Sequence, residues 1–201
     1  MASDTADAGT APPGLHEHSV TFRVDGTERH CTVDAGTTVL DVLRDRLGVT
    51  SPKKGCDLGQ CGSCTVLLDG RRRVTCLALA VAHDGAEIVT AAGLAADGPH
   101  PLQERFLERD AFQCGYCTPG QICSAIGMLD EYAQGDPSHV TEELDVTPDL
   151  DDDEIRERMS GNLCRCAAYP NIVDAIRDVA GQDVAGPDVA GPDVAGQGAI
   201  E

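Results

Sequence analysis

The chain has no tryptophan, and it has three tyrosines and three phenylalanines among 201 residues. That scarcity leaves little for base-stacking platforms or for a large apolar ligand pocket, both of which draw on aromatic side chains. Positive charge is also short: 15 Lys and Arg stand against 34 Asp and Glu, a formal net charge of −19. Nucleic-acid binding needs clustered cations to neutralise phosphates, so that partner is excluded. No apolar run approaches the ~18 residues of a membrane span. The first residues, MASDTADAGTAPPG, hold no basic segment, no useful apolar stretch and no twin-arginine pair, and Arg71, Arg72 and Arg73 lie mid-chain. A cytoplasmic location is the expectation.

Cysteine is what the chain has in excess, with ten residues. In a reducing compartment disulfides are rare, so ten cysteines point to metal or redox ligands. The length suits one ordinary domain or two small ones. Residues 1–17 lack periodicity and are expected to form a disordered leader. A five-residue repeat begins at Asp178-Val-Ala-Gly-Gln and returns at Asp183, Asp188 and Asp193. It is too rich in Gly and Pro to pack, and 182–201 is expected to be a disordered tail.

Between these ends, Val20 to Val24 and Glu28 to Val33 alternate apolar and polar residues around Asp25-Gly26, the pattern of a β-hairpin. Thr38 can cap a helix that turns Val39, Leu40, Leu43 and Leu47 toward a core and stops at Gly48. Further strands are expected from Cys64 to Leu68 and from Glu87 to Thr90, giving a small mixed sheet. Beyond about residue 97 the pattern becomes helical, with helices predicted from Pro101 to Arg109, Pro119 to Tyr132, Asp151 to Ser160 and Pro170 to Val179. Thr118 with Gln121, and Asp151 with Glu154, have the spacing of capping boxes. The acidic run Asp151-Asp152-Asp153 then complements a helix dipole rather than forming a metal site.

Two constellations of cysteine carry the chemistry. Cys56, Cys61 and Cys64 have Cys-x4-Cys-x2-Cys spacing, and Cys76 follows after eleven residues. This is a variant of the plant-type 2Fe–2S spacing, in which one loop wraps three thiolates around a compact core. Gly55, Gly59 and Gly62 suit a loop that needs positive φ and close backbone approach. Four residues between the first two cysteines make a poor zinc ribbon. The second set is Cys114 and Cys117, then, after 46 residues, Cys164 and Cys166. Each half precedes a predicted helix start, where free N–H groups favour thiolates. Spacing alone leaves this set open to zinc, a redox pair or a cluster. Cys31 and Cys123 are expected to be small buried hydrophobes. No histidine is spaced with a cysteine as a Rieske centre requires, and His16 and His18 are expected at the surface.

Taken together, Gly55-Cys-Asp-Leu-Gly-Gln-Cys-Gly-Ser-Cys-Thr-Val, Gln113-Cys-Gly-Tyr-Cys-Thr-Pro-Gly and Gly161-Asn-Leu-Cys-Arg-Cys resemble the iron–sulfur subunits of molybdenum hydroxylases, the xanthine dehydrogenase, aldehyde oxidoreductase and carbon monoxide dehydrogenase family. Ala167-Ala168 and Gln121-Ile-Cys-Ser-Ala bring the chain nearest the bacterial aldehyde-oxidising branch. The resemblance implies an α+β chain: a β-grasp, ferredoxin-like domain over 18–96, then an all-α four-helix domain over 97–181. It implies two 2Fe–2S clusters, one on Cys56, Cys61, Cys64 and Cys76 and one on Cys114, Cys117, Cys164 and Cys166. The second would lie beside a molybdopterin cofactor in a large partner subunit, with Gln113 and Cys166 close to it. The first would lie nearer FAD in a medium partner subunit. The chain would then relay electrons and bind no substrate. The competing readings are a zinc-stapled binding module and a free-standing ferredoxin.

Overall fold

The computed structural model describes residues 17–96, 98–141, 143, 144, 146 and 149–180. The repeat tail, and the expected leader apart from Glu17, lie outside the described residues. Strands β1 (Glu17–Val24) and β2 (Thr27–Asp34) pair antiparallel as the expected hairpin. Its turn residues, Asp25 and Gly26, both have positive φ, at 48° and 75°. That is the type I′ geometry whose twist matches the strands it joins. Val20, Phe22 and Val24 point inward from β1 and are buried.

Helix α1 (Val39–Asp41) starts where Thr38 Oγ1 accepts the Asp41 N–H at 3.2 Å, and it continues as a wider π turn over Val42–Arg46. Val39, Leu40 and Leu43 are buried and Leu47 partly so, as the helical spacing predicts. The remaining strands are β3 (Thr65–Leu68), β4 (Arg71–Val74) and β5 (Glu87–Val89). The sheet order is β2-β1-β5-β3-β4, with β1 and β5 parallel and the other pairs antiparallel.

Strand β4 is an addition to the sequence expectation. A second Asp-Gly turn, Asp69-Gly70 at φ 49° and 75°, folds the arginine run back along β3. Three consecutive arginines break the apolar–polar alternation that marks a strand, although charge suits an edge strand, where it discourages pairing with another chain. All four residues of β3 are buried. Val66 and Leu68 join a core with β1, α1 and β5, while Leu67 packs into a second core among the helices. The apolar run Val66 to Leu68, with no alternation, is what burial on both faces requires.

The helices are α2 (Pro101–Glu108), α3 (Thr118–Ala133), α4 (Asp152–Arg158) and α5 (Tyr169–Val179), within two residues of their predicted ends. In α5, Ile172, Val173, Ile176 and Val179 fall on one face and are buried. The two capping expectations divide. Asp151 caps α4, its Oδ1 accepting from Asp153 and Glu154 N–H at 3.0 and 2.9 Å. Its partner Glu154 does not close a box but accepts from Arg158 in a pair whose side chains are both 3% exposed. At α3 the cap position belongs to Cys117, and Thr118 is the first helical residue. Its hydroxyl is buried without a partner. Gln121 is turned inward for a different contact, described below.

Arg72 ties the sheet to the helices. Its guanidinium donates to both Glu131 carboxylate oxygens at 3.0 and 2.7 Å, to Ser124 Oγ at 3.2 Å and to the Arg158 carbonyl at 2.6 Å. A planar, five-donor fork can satisfy that many acceptors at once.

Candidate metal centres

The first quartet lies at one end of the sheet. Cys56, Cys61 and Cys64 occupy the loop between α1 and β3, and Cys76 sits in the short 3-10 turn Thr75–Leu77 that follows β4. Cys64 and Cys76 are buried, Cys56 and Cys61 half-buried. The thiols stand two and two: Cys56 contacts Cys61, and Cys76 contacts Cys64. Backbone N–H groups point at the sulfurs, from Leu58 and Gln60 to Cys56 at 3.4 and 3.3 Å and from Gly59 to Cys76 at 3.3 Å. The Leu58 N–H, with Gln60 and Cys61 adding, pulls the Cys56 thiol down to about 7. Burial, helped by the neighbouring Cys64 thiol, pushes Cys76 up to about 11.

The loop has this shape because its residues tolerate it. Gly59 and Gly62 have φ of 73° and 68°, and Asp57 has 57°, the left-handed region open to Gly and, at some cost, to Asp. Gly55 has no positive φ; its requirement is space, since a Cβ there would sit 2.8 Å from Cys61 Sγ. A Cβ on Gly59 would collide with Leu77, which folds over the loop.

The second quartet is built from helix starts. Cys114 and Cys117 lead into α3, and Cys164 and Cys166 lead into α5. Cys114 contacts Cys166, and Cys117 contacts Cys164, so these thiols also stand two and two. The Ala168 N–H points at Cys164 Sγ at 3.4 Å, made possible by the left-handed turn at Ala167, φ 59°. The Tyr116 N–H, with Cys166 adding, draws the Cys114 thiol down, whereas burial pushes Cys117 up to about 11. Gln121, one turn into α3, donates its N–H to the Cys117 carbonyl at 3.0 Å, and its side chain opposes the rise of the Cys117 thiol. Cys114 and the adjacent Gln113 are exposed, and Cys166 is half-buried. A cavity of 510 Å³ lies between the quartets, lined by Cys61 and Ser63 on one side and Cys114, Cys117 and Cys164 on the other.

Zinc wants four donors around one point. Thiols gathered in fours, edged by N–H donors, are also the ligand type that a 2Fe–2S core would take. Cys123 is wholly buried, as expected of a small hydrophobe, whereas Cys31 is only partly buried, packed on the edge of the sheet core because β2 lies at the sheet's edge. Burial drives the Cys123 thiol up to about 12. His18 is exposed on β1, and His16 lies outside the described residues.

Sequence reasoning missed two members of the site. Asn162 lies between Gly161 and Cys164, where only the cysteines have a ligand chemistry legible from residue type. Gln121 has the spacing of a cap residue, which carries no mark of its inward bond to the Asn162 carbonyl.

Comparison with known proteins gives the same picture from another direction. Residues 22–90 match the model of a 2Fe-2S iron-sulfur cluster binding domain, and residues 90–177 match that of a 2Fe-2S binding domain. The chain is 53% identical over 178 residues to the aldehyde oxidoreductase iron-sulfur-binding subunit PaoA of Escherichia coli, covering 88% of this chain and 78% of that one. It is 40% identical to the nicotinate dehydrogenase small FeS subunit of Eubacterium barkeri, covering 81% and 95%. Among solved structures, quinoline 2-oxidoreductase of Pseudomonas putida superposes with a TM-score of 0.69 at 37% identity, over 82% of this chain and 93% of the matched one. The mixed sheet with its helices is an α+β, ferredoxin-like architecture, and the relatives are subunits of oxidoreductases. The chain belongs to the family of 2Fe–2S iron–sulfur subunits of the molybdenum hydroxylases.

Proposed function

We propose that this chain is the electron relay of a molybdenum-dependent hydroxylase, with a β-grasp domain over 18–96 and a four-helix domain over 97–181, each holding one 2Fe–2S cluster. Cys56, Cys61, Cys64 and Cys76 hold the first, and Cys114, Cys117, Cys164 and Cys166 hold the second. The carrying observation is that the eight thiols gather as two sets of facing pairs with N–H donors at their sulfurs. Each cluster, when bound, supplies a one-electron carrier.

The protein's part is to supply thiolates, to stabilise their charge and to limit water. Helix starts at α3 and α5 place positive dipole ends at the second quartet, while the first relies on loop amides. We assign the substrate site to a partner subunit, since among the described residues the two quartets serve as ligands and no acid–base pair stands beside them. The exposed edge at Gln113 and Cys114, with Cys166 behind it, is the face we assign to the large subunit's molybdopterin. The exposed loop at Asp57, Leu58 and Gln60 is the face we assign to the medium subunit's FAD. Cytoplasm is the compartment we assign, where ten unbridged cysteines persist.

The assembled complex tests this. In a Cys61→Ser variant, substrate should still reduce the remaining helical-region cluster while the flavin stays oxidised. In a Cys164→Ser variant, substrate should reduce the sheet-region cluster far more slowly, although dithionite still reduces it. Rapid-freeze EPR with parallel flavin absorbance distinguishes the two, and the reverse pattern would exchange the assigned positions.

A further inference from the structure

The two quartets are fastened to each other by a few residues that belong to neither. The Leu163 N–H, one residue before Cys164, donates to the carbonyl of Cys61 at 2.9 Å. A cysteine of the first set is thereby joined to a cysteine of the second by covalent bonds interrupted by one hydrogen bond. Asn162, 5% exposed, stands beside this link. Its side-chain amide donates to the Gly62 carbonyl at 3.0 Å and to the Gly120 carbonyl at 3.1 Å. Its backbone carbonyl accepts from Gln121 Nε2 at 3.0 Å, and the Gln121 N–H donates to the Cys117 carbonyl at 3.0 Å. One residue thus grips the first cysteine loop, the start of α3 and the approach to Cys164.

Backbones meet here because two glycines allow it. A Cβ on Gly62 would sit 2.5 Å from the Gly161 carbonyl and 2.6 Å from Asn162 Nδ2. A Cβ on Gly120 would collide with the Gly62 carbonyl and come within 3.0 Å of Ser63. An asparagine amide fits such a junction: its two N–H groups reach one carbonyl on each side, adding to the bonds that the Gly62 carbonyl already accepts from Thr65 N–H and Oγ1 at 3.0 and 2.7 Å.

Resting on the relay reading above, we propose that Asn162 is a positioning residue for electron transfer between the two centres. By bonding Gly62 and Gly120 it holds the Cys61–Leu163 hydrogen bond, and the spacing of the quartets, in one arrangement. One electron leaves the helical-region cluster, which is oxidised, and reduces the sheet-region cluster. No bond forms or breaks. Asn162 touches neither cluster and acts through the backbone on which both sets of ligands are mounted.

The test uses the full-length, cluster-loaded chain and three variants: Asn162→Ala, Asn162→Asp and Arg72→Leu. The last removes a tie between sheet and helices while leaving the junction alone. When both clusters are reduced by dithionite, their spins broaden each other's EPR signals through a dipolar coupling that falls with the cube of distance. Wild type and Arg72→Leu should show the same coupling, even where Arg72→Leu melts earlier. Both Asn162 variants should keep their iron but show weaker or heterogeneous coupling. After one-electron photoreduction, exchange between their clusters should slow several-fold. Unchanged coupling and rate in both Asn162 variants would overturn the proposal. So would loss of iron from them with iron retained in Arg72→Leu, which would make Asn162 a requirement for assembly rather than for spacing. A wild-type chain without two clusters would instead overturn the relay reading beneath it.

Discussion

In the sheet half, three of four cysteines fall within the nine residues from Cys56 to Cys64, and the fourth follows the hairpin that β3 and β4 make. In the helical half, two pairs stand at the starts of α3 and α5, with 46 residues between Cys117 and Cys164. The first site takes its shape from local backbone, through left-handed Asp57, Gly59 and Gly62. The second exists only once α3, α4 and α5 have packed, since nothing local holds Cys117 near Cys164. A site set by a loop should outlast partial loosening of its domain, whereas a site set by helix packing should be lost with it.

The largest expected effect follows from the buried Arg158–Glu154 pair in α4. Replacing Glu154 with Ala leaves the guanidinium uncompensated and should cost about 3–5 kcal/mol. Urea unfolding followed by helical circular dichroism and by EPR should show the helical-region signal lost at lower urea than the sheet-region one. Simultaneous loss would break the comparison.

The reciprocal change is Gly59→Ala. It puts a Cβ at φ 73° and against Leu77, and left-handed non-glycine residues of this kind cost about 1–3 kcal/mol. Iron should fall at the first quartet alone, seen as one weakened EPR signal with the other unchanged.

Cys31→Ala and Cys123→Ala should leave iron content at the wild-type value. Cys123→Ala should lower stability by about 1 kcal/mol, a typical cost for a point substitution, measured by chemical denaturation. Loss of a signal in either would mean that the ligand sets are wrong. The smallest effect sharpens the same point. In the cluster-loaded chain, burial raises both spare thiols above the usual cysteine range, Cys123 to about 12. The thiolate is the form that reacts. Alkylation of half-exposed Cys31 should therefore accelerate as pH rises above that range, while Cys123 should label only on unfolding.

The same contrast explains what could be read without a structure. The first quartet was legible because its spacing is itself the geometry, and the helices because their apolar spacing and caps are local. The second quartet was not decided by spacing, since two helix starts reveal their meeting only through packing. Its assignment came from the resemblance of Gln113 to Gly120 and of Gly161 to Cys166. Strand β4 was hidden by Arg71-Arg72-Arg73, although Asp69-Gly70 marked its turn. The roles of Asn162 and Gln121 were out of reach, because an amide's partners across the fold leave no periodic trace. The cap expected at Thr118 fails because the helix begins one residue earlier: Cys117 takes the cap position with helical backbone angles, and Thr118 is already inside the helix.

The central claim is that this one chain holds two separate 2Fe–2S clusters, and iron analysis joined to EPR of the reduced, purified chain tests it most directly. About four irons and four acid-labile sulfides per chain, with two distinct spin-half signals, are predicted. A colourless protein containing zinc, or a single signal integrating to one spin per chain, would contradict it.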